Sequence, residues 1–109
     1  MANARGMGIV AIIASRGTCV KMRACMRVVQ IEKPGGPEVL RAAERSRPEP
    51  RPHEILVKVA AAGVNRPDVL QRMGLYAVPA DASDLPGLEI AGEVVACGSA
   101  VTRWKVGDR

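Results

Sequence analysis

Apolar residues come along this chain in short alternating runs separated by proline and glycine, a spacing that suits strands better than long helices. "MRVVQIE", residues 26–32, is a Val/Ile run closed by "KPGGPE", whose glycines accept the positive φ of a tight turn, and it predicts a first strand. "EVLRAAER" fits strand or helix by pattern. Its brevity and the following "SRPEPRPHE", with Pro48, Pro50 and Pro52, favour a strand that feeds a stiff extended loop. "EILVKVAAAGV", residues 54–64, alternates around Lys58 and then becomes small and wholly apolar, as a strand does on passing from surface to core; it is expected to be the central strand. "NRPDVLQRMG" has the signals of one short helix: Asn65 to cap it, Pro67 in the first turn, Asp68 at the positive end of the dipole, and Gly74 to end it. On that helix Val69, Leu70 and Met73 should share a core-facing side, and Asp68 and Arg72 should pair at i, i+4. "LYAVPADASDLP" is a loop by composition. "GLEIAGEVVACG", residues 87–98, is a strand whose interior Gly92 points to a bulge or to close approach of another backbone. "SAVTRWKVGDR" then turns, and its "VGDR" looks like the beginning of a further strand.

Composition limits what these elements can build. The chain has 109 residues, no Phe, one Trp (Trp104) and one Tyr (Tyr76), so a single modest core of Val, Ile, Leu, Ala and Met is expected. The net charge of +5 suggests nucleic acid only until it is located. Arg5, Arg16, Lys21, Arg23 and Arg27 lie in the first 31 residues, which hold no acid, and the remaining 11 basic residues are matched by 11 acidic ones. The body is neutral and lacks aromatic platforms, so no nucleic-acid partner is expected. Cys19, Cys25 and Cys97 form no C-x-x-C pair, which argues against a disulfide framework or a zinc knuckle and for a reducing cytoplasm. "GMGIVAIIA", residues 6–14, is far short of the roughly 20 apolar residues a membrane helix needs. It also fits poorly as a signal or transit segment. Residues 1–25 are read as a disordered leader, or as a mis-assigned start ahead of Met22 or Met26.

Few residues can carry chemistry unaided. "GMGIVA" matches a dinucleotide fingerprint formally, yet no strand precedes it and β-branched residues follow, so it is rejected. His53, the single histidine, sits among prolines as a solvated turn residue, and no catalytic triad or metal set can be assembled around it. Glu89 and Glu93, four apart in a strand, should lie on one face as edge or lining charges.

The four segments "MRVVQIEKPGGPEVL", "EILVKVAAAGVNRPDVLQRMGLY", "PGLEIAGEVVACG" and "VGDR", in this order and spacing, resemble the start of the medium-chain dehydrogenase/reductase superfamily, nearest its zinc-independent quinone oxidoreductase branch. The resemblance covers residues 26–109. It implies a mainly β fold with a short helix, an incomplete GroES-like, partly open β-barrel. In such enzymes the barrel closes a cleft against a Rossmann domain that binds NADPH, and that domain is absent from these 109 residues. Zinc-dependent relatives carry a Cys in a G-x-C and a His in a G-H-E. The matching positions here are Gly63-Val64-Asn65 and Gly87-Leu88-Glu89. An amide and an isobutyl group do not replace thiolate and imidazole on zinc, so the resemblance implies no zinc and direct hydride transfer from NADPH to a quinone-like acceptor. It places Asn65, Asp68 and Leu70 toward the nicotinamide, with Asn65 and Tyr76 as the residues nearest the chemistry. Leu70 stands where several relatives have tyrosine. A homodimeric, cytoplasmic enzyme is expected, with these residues inactive by themselves. The alternatives are an enoyl or other activated-alkene reductase of the same superfamily, a non-catalytic GroES-like interaction module, and an RNA-binding relative, the last disfavoured by the neutral body.

Overall fold

The computed structural model describes residues 25–109 in full and, N-terminal to them, the backbone of residues 9–13. Five strands, β1 (Ile9–Ile13), β2 (Cys25–Ile31), β3 (Leu40–Ser46), β4 (Ile55–Ala62) and β5 (Ile90–Cys97), form one sheet in the order β3-β2-β1-β4-β5. Among the described residues one α-helix, α1 (Arg66–Arg72), connects β4 to the loop before β5. The sheet is open: β3 and β5 are its two edges and do not pair with each other. This is the expected mainly β architecture of a partial GroES-like domain, without barrel closure.

β2 and β3 form an antiparallel hairpin with Val29 opposite Ala42, closed by the Pro/Gly turn and a short 3-10 turn over Pro37–Val39. β4 and β5 are antiparallel with two irregularities, between Leu56 and Val57 and between Val59 and Ala61. The second lies beside Gly92, which pairs with Val59. A Cβ on Gly92 would collide with the Lys58 carbonyl, so this glycine marks both the bulge and the close backbone approach that its place in the strand suggested. β1 pairs in parallel with β4, Ile9 to Ile55 through Ile13 to Val59, and meets β2 at Ile13 and Arg27. It occupies the middle of the sheet, so β4 is an inner strand and not the central one. Apart from these five residues and Cys25, which begins β2 and is not part of a leader, the segment expected to be a leader lies outside the described residues.

The core is modest: among the described residues the buried apolar ones are Val28, Val39, Ile55, Leu56, Val57 and Val94. Ile55, Val57 and Val94 form one cluster, with Ile90, Cys97 and Val101 packed against it. Burial along β4 runs opposite to the expected direction. Ile55–Val57 are buried, whereas Ala60, Ala61 and Ala62 are exposed. The described pairs with β1 run from Ile55 to Val59, and the alanines beyond them have little side chain of their own to bury.

Helix α1 also departs from expectation in its packing. It buries no residue completely; Val69 and Leu70 are half-buried and Met73 is 45% exposed. No Asp68–Arg72 ion pair forms. The Asp68 carboxylate turns back to the helix start, where its Oδ2 accepts the Asn65 main-chain N–H at 2.8 Å, and this draws it away from Arg72. The end of the helix follows local rules closely. Gly74 adopts φ +76°, its N–H donates to the Gln71 carbonyl at 3.0 Å, and the Leu75 N–H donates to the Leu70 carbonyl at 2.8 Å, the two bonds of a Schellman motif. The Arg72 carbonyl accepts the Gly35 N–H at 3.0 Å, which fastens the first turn to the end of the helix.

Candidate functional site

The segment Gly63-Val64-Asn65 carries the chain from β4 into α1, and its conformation follows from its residues. Asn65 is the N-cap, with extended φ −119° and ψ 160°, and Pro67 and Asp68 follow in the first turn. Asn65 and Asp68 form a capping box. Its carboxylate arm is the 2.8 Å bond from the Asn65 N–H, while the Asp68 N–H, faced by the Asn65 side chain, bonds at 3.0 Å to the Asn65 main-chain carbonyl.

The segment preceding β5 meets this corner from the other side. The Gly63 N–H donates to the Glu89 carbonyl at 3.1 Å, and the Asn65 Nδ2 donates to Glu89 Oε2 at 2.8 Å. The Glu89 carboxylate fits because residue 63 has no side chain: a Cβ there would lie 2.6 Å from Oε2. Val64 and Leu88, the chain neighbours of the bonded pair, are 86% and 60% exposed and give the polar corner an apolar rim.

The four residues singled out from the sequence are thus only partly brought together. Asn65 and Asp68 are joined directly. Leu70 lies half-buried on the helix and contributes its carbonyl to the helix end. Tyr76, 39% exposed, lies beyond the terminating glycine with no hydrogen bond to Asn65 or Asp68 among the described residues. Glu89 is the residue the sequence reading left out of the site. It does not act with Glu93: Glu89 turns to Asn65, whereas Glu93 pairs with Lys58 across the strands and lies 3.5 Å from Arg109. The Gly87-Leu88-Glu89 triplet was the one signal in the sequence that could have drawn attention to it.

A clasp holds the loop between α1 and β5. Arg45 on β3 donates from both terminal nitrogens to the two Asp84 oxygens, each at 2.8 Å, and the Gln71 side chain donates to the Asp84 carbonyl at 3.2 Å. The hydrogen bonds between Arg45 and Asp84 hold the Asp84 carboxyl below its ordinary value and raise Arg45 above its own. A depressed carboxylate stabilises the fold above its unfolded-state pKa, and that contribution is lost as pH falls through the folded value. Both groups are solvent-accessible, so salt should screen most of the effect. Arg45→Ala is expected to return Asp84 toward the ordinary aspartate range in an NMR titration. An unchanged Asp84 midpoint would show that the clasp is not its cause.

Among the described residues, no three His, Cys, Asp or Glu side chains are grouped so as to hold a metal ion, and no helix is long and apolar enough to cross a membrane.

Comparison with known proteins identifies the family. Residues 51–109 match the family described as the alcohol dehydrogenase GroES-like domain. Quinone oxidoreductase from Pseudomonas aeruginosa is 49% identical over 81 residues, covering 74% of this chain and 25% of that protein. The human quinone oxidoreductase is 38% identical over 85 residues, covering 77% of this chain and 26% of its own. Among solved structures, a quinone oxidoreductase from Pseudomonas syringae pv. Tomato superposes with a TM-score of 0.66 at 43% identity, covering 76% of this chain and 25% of the other. The one from Coxiella burnetii gives a TM-score of 0.63 at 32% identity, covering 77% and 28%. The chain therefore spans about a quarter of the length of the relatives it matches. With a family match over more than half its residues and a strand-rich, one-helix fold shared with these enzymes, the chain belongs to the alcohol dehydrogenase GroES-like domain family, where its likeness is to the quinone oxidoreductases.

Proposed function

We propose that this chain is the N-terminal catalytic-domain part of an oxidoreductase that passes hydride from NADPH to a quinone-like acceptor without zinc. The observation that carries this reading is the hydrogen bond from Asn65 to Glu89, which joins the two segments, Gly63-Val64-Asn65 and Gly87-Leu88-Glu89, that resemble the zinc-ligand motifs of the alcohol dehydrogenases. The position of the motif cysteine is filled by an amide already committed to a carboxylate, and the position of the histidine by an exposed leucine. Such a donor set suits a flat, partly apolar ring better than a metal ion.

When bound, NADPH would supply a hydride that, with one proton from solvent, converts a quinone to its hydroquinone and leaves NADP+. The chain's own residues have the positioning work. Asn65, Asp68 and Leu70 would hold the nicotinamide end, Val64 and Leu88 would shelter the rings from water, and Tyr76 would border the acceptor. Leu70, where several relatives have tyrosine, leaves room for a second reading in which the acceptor is an activated alkene; comparing a quinone with an enone as substrate separates the two. The same proposal carries a homodimer of the full-length protein and a cytoplasmic setting.

The test is turnover and metal content together. The full-length gene product should oxidise NADPH with a quinone and contain no zinc by elemental analysis, and one equivalent of zinc would overturn the metal-free reading. The 109 residues by themselves should show no NADPH oxidation, because dinucleotide binding in this proposal falls to another domain. Turnover by the purified chain would contradict that division of labour.

A further inference from the structure

We propose that Glu89 is the positioning residue of Asn65, fixing which end of the amide faces which neighbour. An asparagine amide is nearly symmetric in shape, and its orientation is set by the donors and acceptors around it. Here one neighbour makes the selection. The Glu89 carboxylate, 2.8 Å away, offers only acceptors and so requires the NH2 end. The Asp68 N–H at the helix start donates to the Asn65 main-chain carbonyl at 3.0 Å, so the choice of amide orientation falls to Glu89. Reversing the amide would set its carbonyl oxygen against a carboxylate oxygen.

Glu89 is itself held for this task. Its carbonyl is tied to the Gly63 N–H at 3.1 Å, and its carboxylate occupies the space that a Cβ at residue 63 would fill. One Nδ2–H of Asn65 is used on Glu89, and the second remains to be offered to a ligand. The site therefore presents a donor suited to a carbonyl oxygen. On an acceptor that takes a hydride, that oxygen gains negative charge, and a pre-oriented N–H is worth more as the charge develops. Glu89 is exposed, so water screens its own charge from that oxygen while the hydrogen bond still fixes the amide. The ligand contact rests on the hydride-transfer reading above; the positioning does not.

Two variants and two measurements test this. Glu89→Gln keeps the shape but brings an NH2 that can donate to the Asn65 oxygen, so a merely space-filling role would leave it silent. Gly63→Ala displaces the carboxylate with its new Cβ while leaving the helix sequence intact. In the isotope-labelled 109-residue chain, the two Nδ2 protons of Asn65 should be well separated in shift, with one close to Glu89, and both variants should collapse that separation. In the full-length gene product, Glu89→Gln should lower kcat with a quinone about tenfold and cause no further loss in an Asn65→Ala background. An Asn65 amide spectrum unchanged by Glu89→Gln would overturn the proposal, as would losses that simply multiply in the double variant. A collapsed amide separation in a protein without any quinone turnover would uphold the positioning and sink the hydride-transfer reading instead.

Discussion

Leu56→Ala should destabilise the fold by about 2–5 kcal/mol, the range for truncating a buried leucine to alanine in a well-packed core. Leu56 is 2% exposed and is the one large side chain among the described residues that is fully buried. It lies between Ile55 and Val57, which are 3% and 7% exposed, on the strand that joins β1 to β5. A cavity there weakens the sheet at its joint and not at an edge. Domains of this size have about 5–15 kcal/mol in total, and a small core has little surplus, so the variant should be partly unfolded near body temperature. The measurement is the urea midpoint followed by circular dichroism, with Leu40→Ala as the comparison. Leu40 lies on edge strand β3 and is 38% exposed, and its truncation should cost much less. Equal midpoints for the two variants would show that β4 is not the centre of stability.

Asn65→Ala should reduce quinone turnover by the full-length protein by about 100-fold, the lower end of the scale on which losing one oriented donor to a developing charge is felt. The substitution also removes the N-cap of α1, which by itself costs about 1 kcal/mol of stability. The two effects are separable. Asn65→Asp retains a good N-cap but sets a second carboxylate against Glu89 and removes the Nδ2 donor. It should therefore melt close to the wild type while turning over as poorly as the alanine variant. If Asn65→Asp were as active as the wild type, the amide would be a cap and nothing more.

Much of the fold was legible because it is governed by neighbours in sequence. The Val/Ile run became β2, the proline-rich stretch became the loop before β4, and the Asn65, Pro67, Asp68 and Gly74 signals gave a helix that starts and stops where capping chemistry says it should. Gly92 announced the bulge for the same reason, since the lack of a Cβ is a local property whatever the partner strand. The family resemblance, carried by four ordered segments, was confirmed by relatives and by solved structures.

Other expectations failed where the outcome depends on what packs against an element. The apolar face of α1 stays half-exposed, because helical periodicity says which residues share a side and not whether anything covers it. Asp68 and Arg72 have the right spacing to pair, but the nearer main-chain N–H of Asn65 takes the carboxylate. The alanines of β4 read as core and are exposed, whereas Ile55–Val57 at the other end of the strand are buried. β1 itself arose in a stretch read as a leader, where a five-residue apolar run carries no sign of which strands it will separate.

By itself the sequence determined β2 to β5, the helix with its caps, the modest aliphatic core and the family, since each rests on local propensity or on a motif read in order. The tertiary structure alone decided the strand order, the burial of Ile55–Val57, the Arg45–Asp84 clasp and the pairing of Asn65 with Glu89. Those partners lie 39 and 24 residues apart, and only the folded backbone, with Gly63 leaving room for a carboxylate, brings them within hydrogen-bonding distance.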